Sequence, residues 1–182
     1  MFSGDEAVAH ARDLQRLTKA LVQQGQMSSP NLVRVVDARE FHEDDVERLV
    51  TEALAWLRSW PAPLRHAYAR RLSAHPDVET LVAVSSDGSL VGFCRLRHRR
   101  FVRECWLEDL YVEPRRRGAG VGGALVSEAV ARARRHGVRL VRASIESSNL
   151  PARRLAAGGG FHEVGRSPSA GTIFVAYPLD TS

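Results

Sequence analysis

Residues 107–126 read LEDLYVEPRRRGAGVGGALV, and no other stretch constrains the fold of this chain as strongly. The segment opens as a strand, passes Pro114, and runs through three arginines and four glycines into the start of a helix. Glycines let backbone approach a ligand closely, the first-turn N–H groups of a helix lack partners within it, and the helix dipole favours negative charge there. Arg115, Arg116 and Arg117 add formal positive charge beside that turn. The pattern is an anion cradle, and a pyrophosphate suits it.

Residues 118–123 also match the G-x-G-x-x-G dinucleotide pattern. A dinucleotide site wants its strand to run directly into the first glycine, with an acidic residue about 20 positions on. Here residues 113–117 intervene, residues 137–141 hold no acid, and Glu146 lies too far downstream. No βαβ unit opens the chain. The nicotinamide reading is set aside.

The elements around this segment describe one α/β domain. Residues 4–24 have a capping-box start (Ser3, Glu6) and apolar residues at three- and four-residue steps, which predicts an extra N-terminal helix. Residues 1–30 are therefore read as a helical extension and linker, and residues 31–182 as the main domain. That domain should hold strands over 32–36, 80–84, 90–97, 104–112, 140–145, 161–165 and 172–177. Helices are expected from residue 37 or 42 to about 57, from the Pro-rich break at 60–63 to about 75, over 120–136, and from 149 to the glycines at 158–160. The Asp87-Gly88 pair marks a hairpin turn. The result is a mixed central sheet of about seven strands flanked by about four helices.

Of the 26 basic residues all but Lys19 are arginine, and residues 95–154 hold 15 basic against six acidic ones, a local net of +9 within an overall +5. An excess confined to the third that carries the glycine turn points to an anionic ligand. No stretch reaches the length of uncharged apolar residues that a membrane span needs, and the acidic, polar start is unlike a secretory signal. Two cysteines, Cys94 and Cys105, are too few for a disulfide framework or a zinc site, so free thiols in a reducing cytoplasm are expected. None of the seven histidines shows metal-ligand spacing, and no metal is expected. No helix-turn-helix, RRM or zinc-finger pattern supports a nucleic-acid partner.

Two further patterns lie in register. Val112-Glu113-Pro114 is followed by Arg115-Arg116-Arg117-Gly118-Ala119-Gly120, and Asn149, Ala152, Leu155, Gly160 and Phe161 follow downstream. Together they resemble the GNAT (general N-acetyltransferase) superfamily, with its R-x-x-G-x-G/A turn and its N-x-x-A-x-x-L-Y-x-x-x-G-F element. The resemblance covers roughly residues 31–178. It implies a GNAT-type fold and an N-acetyltransferase that moves the acetyl group of acetyl-CoA directly onto a small-molecule or protein amine, and it allows a homodimer. It also implies that the backbone of Leu110, Tyr111 and Val112 pairs with the pantetheine arm. Gly118, Ala119, Gly120, Val121, Gly122 and Gly123 would hold the pyrophosphate with Arg115 and Arg117. Asn149 and Arg153 would lie along the pantetheine or adenosine.

Acetyl transfer needs a neutral amine, so a group near the cleft must accept a proton. Glu108 is the first candidate, because the LEDLYV pattern resembles the diamine and polyamine branch of the superfamily, where a Glu at this place is a proposed base. Asp109 is the reserve. Alternation puts the two carboxylates on opposite faces of the strand unless a bulge intervenes. A backbone N–H near Leu110 or Tyr111 would meet the developing oxyanion. The family's tyrosine, which protonates the departing thiolate, falls at Ala156; Ser148, Tyr111, water or unassisted departure are the alternatives. That substitution leaves a second reading open, a non-catalytic acyl-CoA-binding or sensing module on the same fold.

Overall fold

In the computed structural model, residues 33–53, 61, 63, 64, 67 and 75–179 are described. The helix expected over residues 4–24 and most of the one ending near residue 75 lie outside them. Seven strands form one sheet: β1 (Arg34–Asp37), β2 (Val78–Val84), β3 (Leu90–Arg99), β4 (Glu104–Val112), β5 (Leu140–Glu146), β6 (His162–Ser167) and β7 (Thr172–Pro178). Their order across the sheet is β1-β2-β3-β4-β5-β7-β6. Every neighbouring pair is antiparallel except β4 with β5, which is parallel. The sheet is mixed and seven-stranded, as its alternation and turn residues predict. Among the described residues there are three α-helices: α1 (Glu43–Ala53), α2 (Val121–Arg135) and α3 (Leu150–Gly158). None of them is long and apolar enough to cross a membrane.

Each face of the sheet buries its own apolar layer. On one face α1 sets Val46, Leu49 and Val50, a three- and four-residue stripe, over Val82, Val84 and Phe93. On the other, α2 sets Leu125, Ala129 and Ala133 over Leu81, Cys94, Leu96 and Val141, and Ala156 of α3 joins the same cluster. Small residues at 129, 133 and 156 let backbones come close. Full burial of a Leu or Phe side chain contributes about 1.5–3 kcal/mol, so the two layers hold the sheet rigid between them.

Turn chemistry sets the connections. Asp87 accepts hydrogen bonds from the Ser85 hydroxyl and, at 2.9 Å, from the Ser89 amide, and Gly88 takes the left-handed conformation (φ 87°) between β2 and β3. Asn149 caps α3 by accepting from the Ala152 amide at 3.1 Å.

Candidate active site

β4 and β5 form a ladder over three residues only, 104–106 against 140–142. Beyond Trp106 and Arg142 the two strands separate. β4 stays paired to β3 on its far side as far as Val112, and β5 stays paired to β7 as far as Glu146. The facing edges of 107–112 and 143–146 therefore line a gap inside the sheet. A cavity of about 280 Å³ occupies it, with Leu107, Asp109 and Leu110 on one wall, Ala143 and Ile145 on the other, and Leu155 and Ala156 of α3 forming another side.

At the end of β4 the chain makes a single 3-10 turn, Pro114–Arg116, and then the glycine turn. Gly118 (φ 79°) and Gly120 (φ 84°) both take the left-handed conformation. The first backbone bond of α2 runs from the Ala124 amide to the Gly120 carbonyl at 3.0 Å, so the amides of residues 121–123 precede the intrahelical ladder. No side chain caps this helix and no acidic residue lies in its first turn. β carbons built at Gly118, Gly120 and Gly123 would meet nothing within 4 Å. The turn is open, amide-rich and free of internal negative charge, which is what a diphosphate requires.

The arginines beside it have separate partners. Arg117 donates from Nε to the Val112 carbonyl at 3.1 Å and so ties the turn to β4. Arg116 lies 3.6 Å from Asp87 of the β2–β3 turn, and Arg115 is exposed. Part of the basic excess is engaged elsewhere: Arg132 and Arg135 pair with Glu128, and Arg142 with Glu104. Arg153 bonds the Ser147 carbonyl at 3.1 Å and does not line the cavity, whereas Asn149 does.

A β-bulge interrupts β4. Phe93 faces Tyr111 and Arg95 faces Glu108, so three steps on β4 match two on β3, and Asp109 has φ 45°. The bulge overrides simple alternation. Arg95 and Arg97, two apart on β3, hold Asp109 and Glu108 respectively. Asp109 lines the cavity and is paired with a guanidinium whose side chain is only 4% exposed. Glu108 is 3.0 Å from the Nε of Arg97, a pair about one-third exposed on both sides. Leu110 and Val112 pack toward α2, while Tyr111 turns to the opposite face, its ring 6.0 Å from that of Phe93.

Cys94 and Cys105 are both buried and free. Burial, followed by nearby Glu79 and Glu108, pushes the Cys105 thiol up to about 12, and burial pushes Cys94 higher still. Neither is a nucleophile at neutral pH.

A family model described as the acetyltransferase (GNAT) family matches residues 44–161. The chain belongs to that family. Among curated proteins this GNAT chain is 34% identical over 76 residues to streptothricin acetyltransferase of Streptomyces lavendulae, covering 42% of this chain and 40% of that protein. It is 36% identical over 90 residues to aminoglycoside N(6')-acetyltransferase type 1 of Klebsiella aerogenes, covering 46% of this chain and 59% of that one. The GNAT chain thus spans about half the length of these relatives. Its fold matches that of a phosphinothricin acetyltransferase from Sinorhizobium meliloti solved with acetyl-CoA, at TM-score 0.64 and 23% identity over 81% of this chain and 88% of that one.

Of the residues expected at the site, Asp109, Leu110 and Asn149 line this cavity, whereas Glu108 and the 118–123 turn are not part of its lining. Sequence reasoning missed the second wall, Ala143 and Ile145, although the apolar alternation of β5 carries it. It missed Arg95 and Arg97 as the carboxylates' partners, although they stand at alternate positions on the strand before. At the family's tyrosine position Ala156 lines the cavity, and neither Ser148 nor Tyr111 does.

Proposed function

We propose that this protein is an acetyl-CoA-dependent N-acetyltransferase whose acceptor is the primary amine of a small molecule. The observation that carries the reading is the interrupted β4–β5 ladder with the open glycine turn at its mouth. Membership of the GNAT family supports it, as do the two curated relatives, each named for acetylation of an antibiotic amine compound.

Bound acetyl-CoA supplies the activated acyl group. The amides of the 118–123 turn hold its diphosphate, and the 110–112 edge of β4 orients the pantetheine amides by strand-like pairing. The bulge leaves a backbone group of β4 outside the β3 ladder, available to the carbonyl oxygen as negative charge develops there.

Two carboxylates take two tasks. Asp109, paired with the buried Arg95, holds the bulge in shape. Glu108, whose partner Arg97 is partly in solvent, gives up that partner at small cost, since exposed ion pairs contribute little. Glu108 therefore receives the amine proton as the new C–N bond forms and the C–S bond breaks. Ala156 offers no proton, so the thiol's own acidity lets it depart as thiolate.

Ala156 also favours a second reading, a binding or sensing module without turnover. Titration of acetyl-CoA by calorimetry, together with a free-thiol assay on a panel of aminoglycosides, streptothricin-type compounds and polyamines, separates the two. Binding with amine-dependent thiol release is the expected result. Binding with no release from any amine would favour the sensor, and no binding would overturn both.

A further inference from the structure

Away from the cleft, three side chains from three elements converge at the other end of α2. Glu79 lies on β2, His98 on β3, and His136 is the C-cap residue of α2. Oε2 of Glu79 is 3.4 Å from Nε2 of His98 and 3.6 Å from Nε2 of His136. The three ligating atoms all lie within 4.8 Å of one another, and the two imidazole rings meet edge-on with centroids 4.8 Å apart.

These separations are long for hydrogen bonds, which cluster at about 2.7–3.2 Å. The two separations from Glu79 fit edges of a metal tetrahedron instead, since bonds of about 2.0–2.1 Å place neighbouring ligand atoms roughly 3.3 Å apart. We propose that Glu79, His98 and His136 form a zinc site, with water in the fourth position, that fastens the C-terminal end of α2 to β2 and β3.

Four features support the assignment. Two imidazole nitrogens and one carboxylate oxygen form a donor set that suits zinc and not magnesium or calcium. Glu79 divides its oxygens: Oε1 accepts from Arg132 at 2.8 Å, which leaves Oε2 for the two histidines. A ligating carboxylate with its second oxygen held by an outer partner is the usual arrangement. Glu128 pairs with Arg132 and Arg135, and Asp37 with Arg39, which lowers the positive charge that these arginines present to a bound cation. Finally, the site lies at the negative end of the α2 dipole. Glu79 and His98 are nearly buried, with side-chain exposures of 11% and 12%, and His136 at 57% leaves the open position to solvent.

The 15 residues of α2 put this site about 22 Å from the glycine turn. It holds the same helix at the opposite end and takes no part in acetyl transfer.

The test uses the full chain after chelator treatment. Zinc is titrated by calorimetry near neutral pH, cobalt is followed by visible absorption, and melting is recorded with zinc or magnesium. Expected are one tight zinc per chain, the absorption of four-coordinate cobalt, and a melting temperature raised by zinc but not by magnesium. His136→Ala, at an exposed position, should fold normally without metal and bind zinc at least about 100-fold more weakly; Glu79→Gln should weaken zinc equally, with some loss of metal-free stability because Arg132 loses a charged partner. Zinc that binds His136→Ala as tightly as wild type, or that leaves the wild-type melting temperature unchanged in excess, overturns the site.

Discussion

The carbonyl oxygen of Tyr111 lies against Gly92 so closely that a β carbon at position 92 would sit 2.7 Å from it. Leu125 and Val121 would crowd the same carbon at 3.3 and 3.4 Å. No side chain fits where β3 passes the bulged end of β4. Gly92→Ala should therefore cost about 1–3 kcal/mol in urea unfolding and lower acetyl-CoA affinity, because the edge of β4 shifts with it. A variant as stable as wild type would show that the strands can part there without loss.

Gly123 presents the opposite case, a helical glycine with nothing within 4 Å of its virtual β carbon. Gly123→Ala should raise the melting temperature of the free protein, since alanine gains up to about 1 kcal/mol over glycine within a helix. Residue 123 closes the turn assigned to the diphosphate, so calorimetry should show weaker acetyl-CoA binding. Stability and affinity move in opposite directions only if that space is used.

Removing the two carboxylates should have different consequences. Glu108→Gln is expected to lower kcat by roughly 10²–10⁴-fold while the thermal shift given by acetyl-CoA persists. Asp109→Asn takes a charge from beside the buried Arg95 guanidinium and should lower stability by about 1–3 kcal/mol. Activity and urea unfolding measured on both variants will show whether the tasks are divided as proposed. A stable Asp109→Asn with lost turnover would reverse the assignment.

Acid stability offers a test at the β2–β3 turn. The hydrogen bond from the Ser85 hydroxyl, then the Ser89 amide, holds Asp87 at about 2, below its ordinary 3.8. A folded-state value below the unfolded one means the contribution is complete above the ordinary aspartate range and disappears as pH falls through about 2. The urea midpoints of wild type and Asp87→Asn should differ by a constant amount from neutral pH to about 4, then converge. A gap that widens as pH falls would contradict this linkage.

Much of the fold was legible in advance, because local rules and tertiary packing agree. β4 begins and ends where expected, at 104 and 112, and the helix expected over 120–136 matches α2 within a residue at either end. The glycine turn was legible as well, since only glycine enters the conformations found at 118 and 120 without strain. The bulge was not: the letters around Asp109 continue the strand pattern, and the extra residue shows only once β3 supplies a register. Charge counting over residues 95–154 misled in part, because Arg132 and Arg142 are engaged with acids far from the glycine turn. The set at 79, 98 and 136 has no spacing to read, since three separate elements bring it together.

The short ladder between β4 and β5 has a mechanical consequence. It leaves two half-sheets, β1 to β4 and β5 to β7, joined like the arms of a wishbone at residues 104–106 and 140–142, where the 3.0 Å contact between Arg142 and Glu104 braces the fork. Unsatisfied main-chain groups that would make an outer strand adhesive to other chains are here turned inward, where a neighbouring molecule cannot stack on them. A slender ligand that offers amides of its own can enter, and in doing so it splints the arms.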